Sequence, residues 1–157
     1  MISLNKQNKG FTIVELLIVI VVIGILAGLV ITTYNGIQQK ARNTERTTDL
    51  KTFQSQLEAY YAQNAYYPST DDLGTVSADN VTFIGGNLKG MDKETLRDPK
   101  GTAANYALNS TTVASGRYSY NPTPASCDNT SGNECTAYTI SAVPEGGGSN
   151  IVYNSLN

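Results

Sequence analysis

The residues able to do chemistry are few here, and their spacing limits what they can do. There is no histidine, which removes the commonest general base and the commonest metal ligand, so histidine-based nucleophilic triads and zinc hydrolase sites cannot be built. Cys127 and Cys135 lie eight apart in a polar, turn-rich stretch; if that part is exported they most simply pair with each other, in an oxidising setting. Asp92 and Asp98 suit the capping and turn roles that aspartates commonly fill. The remaining candidate is Glu15, the one charged residue between Phe11 and Ile31. An ionised carboxylate in hydrocarbon costs about 2.5 kcal/mol or more, so Glu15 requires a compensating partner. No cofactor and no catalytic residue follow from this set.

The elements that hold these residues divide sharply by composition. Hydrophobicity is gathered into the run Phe11 to Ile31, which at ~1.5 Å per helical residue reaches roughly 31 Å and matches a bilayer core of about 30 Å. Helix-compatible residues continue to Asn64, with no proline before Pro68. Leu50, Phe53, Leu57, Tyr60 and Tyr61 recur with helical period, so this second half is expected to lay one face on a sheet. Lys51, Gln54, Gln56, Glu58 and Gln63 fall opposite, and Arg42, Glu45, Arg46 and Asp49 form a mixed-charge stretch expected to be a solvated face. A helix of about 80 Å is too long for a domain this size to bury, so its first half is expected to project. Gly24 and Gly28 have the Gly-x-x-x-Gly spacing that permits close helix packing, although small residues are common in membrane helices anyway.

The leader Met1 to Gly10 is short and polar, and the apolar run follows it rather than preceding a cleavage site as in an ordinary secretory signal. Lys6 and Lys9 favour a cytoplasmic N-terminus and an external C-terminal part. The segment Lys9-Gly10-Phe11-Thr12-Ile13-Val14-Glu15-Leu16-Leu17 resembles the leader junction of type IV pilins and type II secretion pseudopilins. The resemblance implies cleavage between Gly10 and Phe11 by a membrane prepilin peptidase, followed by N-methylation of Phe11. It implies too that Glu15 pairs with the new α-amino group of Phe11, commonly on a neighbouring subunit, and so sets the register of assembly. Many pilins carry a proline after the apolar run, whereas here Ile31-Thr32-Thr33-Tyr34-Asn35-Gly36 has none.

After the helix, Ala65 to Thr70 ends the periodic pattern with Pro68, and Tyr60 to Leu73 again resembles the post-helix segment of pilins and major pseudopilins. Arg117 to Tyr120, Ala137 to Val143 and Ile151 to Tyr153 alternate as short strands do, with turn-rich spacers that suggest antiparallel connections. Three such strands bury too little alone and need the Leu50 to Tyr61 face to complete a core. The ten tyrosines are expected mainly in core and rim packing. The loop enclosed by Cys127 and Cys135 resembles the C-terminal disulfide region of many pilins, as a partner-facing loop or a simple staple. Leu96-Arg97-Asp98-Pro99 resembles the Asp-Pro segment of calcium-binding major pseudopilins, and the resemblance implies a calcium site at Asp92, Asp98 and neighbouring carbonyls, although the remainder of that pattern is missing.

The expected fold is α+β and pilin-like: a leader at 1–10, a transmembrane or filament-core helix at 11–33, its amphipathic continuation at 34–64, and a β-rich unit at 65–157 with the disulfide loop. The leading functional expectation is a type IV pilin subunit. It would be an inner-membrane protein before assembly and part of an extracellular filament afterwards, supporting adhesion, motility or DNA uptake. Its implied partners are copies of itself, the prepilin peptidase and methyltransferase, an inner-membrane assembly platform and minor pilins. With no basic stripe, nucleic acid is not the main partner. The alternatives are a type II secretion pseudopilin, which the N-terminal motif does not separate from a pilin while the candidate disulfide loop and the incomplete calcium pattern tilt towards the pilin, and a single-pass membrane receptor or enzyme.

Overall fold

The computed structural model describes residues 10–73, 82–89, 91–101 and 111–157, so the leader lysines Lys6 and Lys9 lie outside the described residues. The chain forms two compact units, Met1–Gln38 and Gln39–Asn157. Helix α1 spans Ile13–Asn64, followed by the short helices α2 (Thr70–Leu73) and α3 (Thr82–Asn87), a 3₁₀ turn at Lys93–Leu96, and strands β1 (Ser119–Thr123), β2 (Ala137–Ala142) and β3 (Ile151–Asn154). The sheet is antiparallel in the order β1-β2-β3, with Tyr120 opposite Ile140 and Ile140 opposite Tyr153.

Helix α1 runs unbroken through Ile31 to Gly36. The missing proline accounts for this, and the Thr32 and Thr33 hydroxyls find their acceptor inside the helix, at the Leu29 carbonyl 3.0 Å away. The helix stops where Ala65 turns left-handed (φ 64°), its N–H donating to the Tyr61 carbonyl at 2.7 Å, three residues before Pro68.

In the second unit the periodic stripe is buried as its spacing requires. Leu50, Phe53, Leu57 and Tyr60 lie inside, joined by Tyr118, Tyr120, Tyr138, Ile140 and Ala142 from the sheet, while Tyr61 is only partly covered. Phe53 meets Tyr120 edge to face with ring centroids 6.0 Å apart. Tyrosines therefore do supply much of the packing, and their hydroxyls find partners: Tyr120 donates to the Pro68 carbonyl at 2.7 Å, a bond that anchors the post-helix segment to the sheet. The buried Ser119 and Ser141 hydroxyls satisfy each other at 2.6 Å across the β1–β2 pair.

The left-handed conformation at Ala65 is costly for a residue with a Cβ and free for glycine. Ala65→Gly should therefore raise unfolding stability by up to ~1 kcal/mol, measured by denaturant titration, whereas a helical position would lose about that amount.

Candidate functional site

At the junction, Gly10 and Phe11 are exposed and the helix begins two residues later. Thr12 and Glu15 form a reciprocal cap. The Thr12 N–H and hydroxyl donate to Glu15 Oε2 at 2.8 and 2.7 Å, and the Glu15 N–H donates to the Thr12 hydroxyl at 3.2 Å. This is a capping box, which satisfies amide groups that the first helical turn leaves without partners. Within a single subunit, the carboxylate is thus compensated by the helix start itself. The Thr-x-x-Glu spacing was legible in the sequence, although the compensation expected there was an amine.

From Phe11 to Ile37 the large apolar side chains are exposed all round, from 48% at Val19 and Val22 to 84% at Ile13. Exposure on every face excludes a one-sided packing surface and requires an apolar medium or other apolar helices around it. The helix is long and apolar enough to cross a membrane. A Cβ built on Gly24 or Gly28 meets no atom within 4 Å, so both backbones stay open to close approach by another helix.

The mixed-charge stretch is not a solvated face, and this corrects the sequence expectation. Arg46 is 1% exposed. Its Nε and one terminal nitrogen donate to the Asp98 carboxylate at 2.7 and 2.9 Å, and the same nitrogen reaches Glu145 at 3.1 Å. Arg42 clasps Glu145 with two bonds of 2.6 and 2.7 Å, and Lys100 Nζ adds a third cation at 2.7 Å. These cations hold the Glu145 carboxyl well below its ordinary range, Arg42 contributing most. Glu45 alone of the four is exposed. Arg46 sits one helical turn before Leu50 and so extends the buried stripe; that position was the available signal.

Glu58, also expected to face solvent, is a hub. It accepts from the Tyr67 and Tyr138 hydroxyls at 2.9 Å each, the Leu156 N–H at 3.1 Å and the Asn157 amide at 3.0 Å. Asp49 accepts the Tyr118 hydroxyl at 2.6 Å. Burial, with Glu45 and Asp98 adding like charge, pushes Asp49 up to about 6, and the Tyr118 bond only partly offsets this.

Asp92 and Asp98, the calcium candidates, are engaged otherwise. Asp92 caps the 3₁₀ turn by accepting from the Glu94 N–H at 3.1 Å. Asp98 accepts from the Lys100 N–H at 2.8 Å besides its bonds to Arg46. Among the described residues no three acidic or thiol side chains converge as a metal-binding set, and both Asp98 oxygens already face cationic or amide donors, so calcium does not fit here. Cys127 and Cys135 are joined in a disulfide, Cα atoms 5.2 Å apart and both buried. Inside their loop Asn129 donates to the Tyr67 carbonyl and to Asp72 at 3.0 Å each, stapling it to the post-helix segment, while Asp128, Thr130, Ser131 and Gly132 stay exposed.

What the chain presents outward is therefore a helix start and an uncovered apolar helix, and these define a protein whose N-terminal helix needs an apolar medium or other apolar helices around it. The family model for the prokaryotic N-terminal methylation motif matches residues 5–31. The chain is 37% identical over 101 residues to the type II secretion system core protein G of Escherichia coli K12, covering 62% of this chain and 70% of that protein. It is 35% identical over 68 residues to the protein of the same name from Dickeya chrysanthemi, and 37% over 66 residues to that of Vibrio cholerae. In these two cases the match covers 43% and 42% of this chain, and spans under half of the relative's length, 44% and 45%. No solved structure matches the chain significantly. The chain belongs to the type IV pilin and type II secretion pseudopilin family, whose members are structural subunits.

Asp49 yields a pH test. Its folded value lies above the ordinary 3.8, so the folded state holds the proton more tightly, and its contribution to stability is complete below 3.8 and lost as pH rises through about 6. Glu145 acts in the opposite sense, its contribution being present above the ordinary 4.5 and lost as pH falls below it. Asp49→Asn should abolish a loss of ~1 kcal/mol that the unmodified protein suffers between about pH 4 and 7, after allowance for solvent screening, as read by thermal or denaturant unfolding across that range.

Proposed function

We propose that this chain is a type II secretion pseudopilin, cut after Gly10, methylated on Phe11, held in the inner membrane by the helix that follows, and polymerised through that helix into a periplasmic fibre that drives protein export. The observation that carries this is the similarity to the E. coli core protein G over 101 residues. A match of that length cannot be confined to the N-terminal motif or to the 52 residues of α1, so it reaches the globular unit, where pilins and pseudopilins differ. The sequence taken alone leaned towards a surface pilus, on the disulfide loop and the incomplete calcium pattern. The disulfide is present but fits both kinds of fibre, and the relatives shift the weight to the pseudopilus.

In this reading the cap at Thr12 and Glu15 serves the membrane-anchored subunit. Cleavage creates an ammonium group at Phe11, which then neutralises Glu15 between subunits, where the surroundings are apolar and a lone carboxylate is expensive. Removal of Lys6 and Lys9 takes the formal net charge from −2 to −4 and frees the N-terminus from its cytoplasmic anchors. Gly24 and Gly28 supply a face for close helix packing in the fibre. The partners are then copies of the chain, the prepilin peptidase and an inner-membrane assembly platform.

Mass spectrometry of the mature protein should find N-methylated Phe11 as the first residue; an intact Met1 or an unmethylated Phe11 would count against the proposal. Deleting the gene should stop export of folded proteins without removing long surface fibres, and the reverse pattern would restore the pilus. Glu15→Gln should reduce fibre yield by tenfold or more, roughly the worth of one lost charge pairing of 1.4 kcal/mol. Fibre yield unchanged by that substitution would sink the register role of Glu15.

A further inference from the structure

Asp98 and Glu145 arrive at one place from two distant stretches of chain, Asp98 from the turn after Leu96 and Glu145 from the β2–β3 connection. Their side chains are 0% and 8% exposed. Two carboxylates brought together out of water have to be neutralised, by a bound divalent cation or by cationic side chains. The distances choose between these. All four carboxylate oxygens lie within 3.1 Å of a guanidinium or ammonium nitrogen: Arg46 serves Asp98 on both oxygens and Glu145 on one, while Arg42 and Lys100 complete Glu145. Calcium asks for six to eight oxygens at about 2.3–2.6 Å. To enter here it would have to expel Arg46 and remain beside Arg42 and Lys100.

The backbone is shaped for the same contact. Gly146, Gly147 and Gly148 have φ of 84°, 85° and 112°, a run open to glycine and strained for other residues, and it lets the connection turn straight after Glu145. Asn43 holds the main chain at that point, donating to the Glu145 carbonyl at 3.1 Å and accepting its N–H at 2.9 Å, while Arg46 donates to the same Asn43 oxygen at 2.8 Å. On the other side Gly101 packs so tightly that a Cβ there would stand 2.9 Å from the Gly116 carbonyl oxygen and 3.0 Å from that of Asp98. That close approach fixes the turn carrying Asp98 and Lys100.

We propose that Arg46, with Arg42 and Lys100, does in this chain what a structural divalent cation would do: it latches the β2–β3 connection to helix α1 through Asp98 and Glu145, so that the unit from Gln39 onward folds without calcium. The inference is independent of which fibre the chain enters, because it concerns the fold of one subunit.

The test uses the mature full-length chain in detergent micelles, with the metal alone as probe. Its Tm in millimolar EGTA and in millimolar calcium chloride should agree within ~1 °C, and calorimetric titration with calcium should show no saturable heat. A rise of more than ~5 °C with calcium, or a saturable isotherm, overturns the proposal. Arg46→Met should lower Tm by ~10 °C or more, and an unchanged Tm would remove Arg46 from the role. Because that variant can fail to fold, Glu145→Gln supplies a milder arm read by amide hydrogen exchange. Exchange should quicken at least tenfold across residues 143–150 while β1 and β2 keep their protection; exchange unchanged in that stretch overturns the latch.

Discussion

Helix α1 is asked to live in two solvents, and everything else in the molecule follows from how its sequence divides between them. Up to Ile37 its large apolar side chains are uncovered on every face, which only lipid or other apolar helices can accommodate. From Arg46 onward one side chain in three or four is buried and the others are half-buried or exposed. A three-stranded sheet is too small to make a core from its own inner face, so the second stretch of the helix supplies the missing layer. The same helix thereby carries both the uncovered apolar stretch and one layer of the globular core.

Apolar contact alone would leave the sheet free to slide along the helix, since the hydrophobic effect is not directional. Polar hooks remove that freedom. Along α1, Asp49 takes the Tyr118 hydroxyl, Phe53 meets the Tyr120 ring, and Glu58 takes the Tyr138 hydroxyl. Three points spaced over more than two turns fix both register and angle. Glu58 also gathers Tyr67 and the backbone at Leu156, so the post-helix segment and the residues that follow β3 are tied to the same carboxylate. The Arg46 cluster closes the arrangement one turn nearer the N-terminus, where specificity of pairing matters more than net stability, because burying ions gains little free energy by itself.

The Thr12 and Glu15 cap belongs to the other half of the division. An acidic residue in an apolar helix is expensive when it has no donor, and the first turn of any helix carries donors without acceptors. Placing the carboxylate three residues after Thr12 lets each deficit cancel the other. The family membership gives this local chemistry its setting, since the methylation motif matched at residues 5–31 contains both residues.

Much of this was legible in the sequence. The apolar run, the period of Leu50, Phe53, Leu57 and Tyr60, the three short strands and the Gly10-Phe11 junction are local patterns, governed by the repeat of one helix or strand and by solvent transfer of single side chains. The cysteine pairing was legible too, because only two cysteines were available. Arg42, Arg46, Asp49 and Glu58 were misread as solvated, since a charged residue on a helix is usually wet and its partners here stand 52 residues away at Asp98, 69 at Tyr118, 80 at Tyr138 and 103 at Glu145. The sequence by itself determined which stretch of helix needs lipid or copies of itself and which needs a sheet. Only the tertiary structure decided which charges are buried and paired, because neutralisation out of water depends on distances of about 3 Å between segments that no local pattern relates.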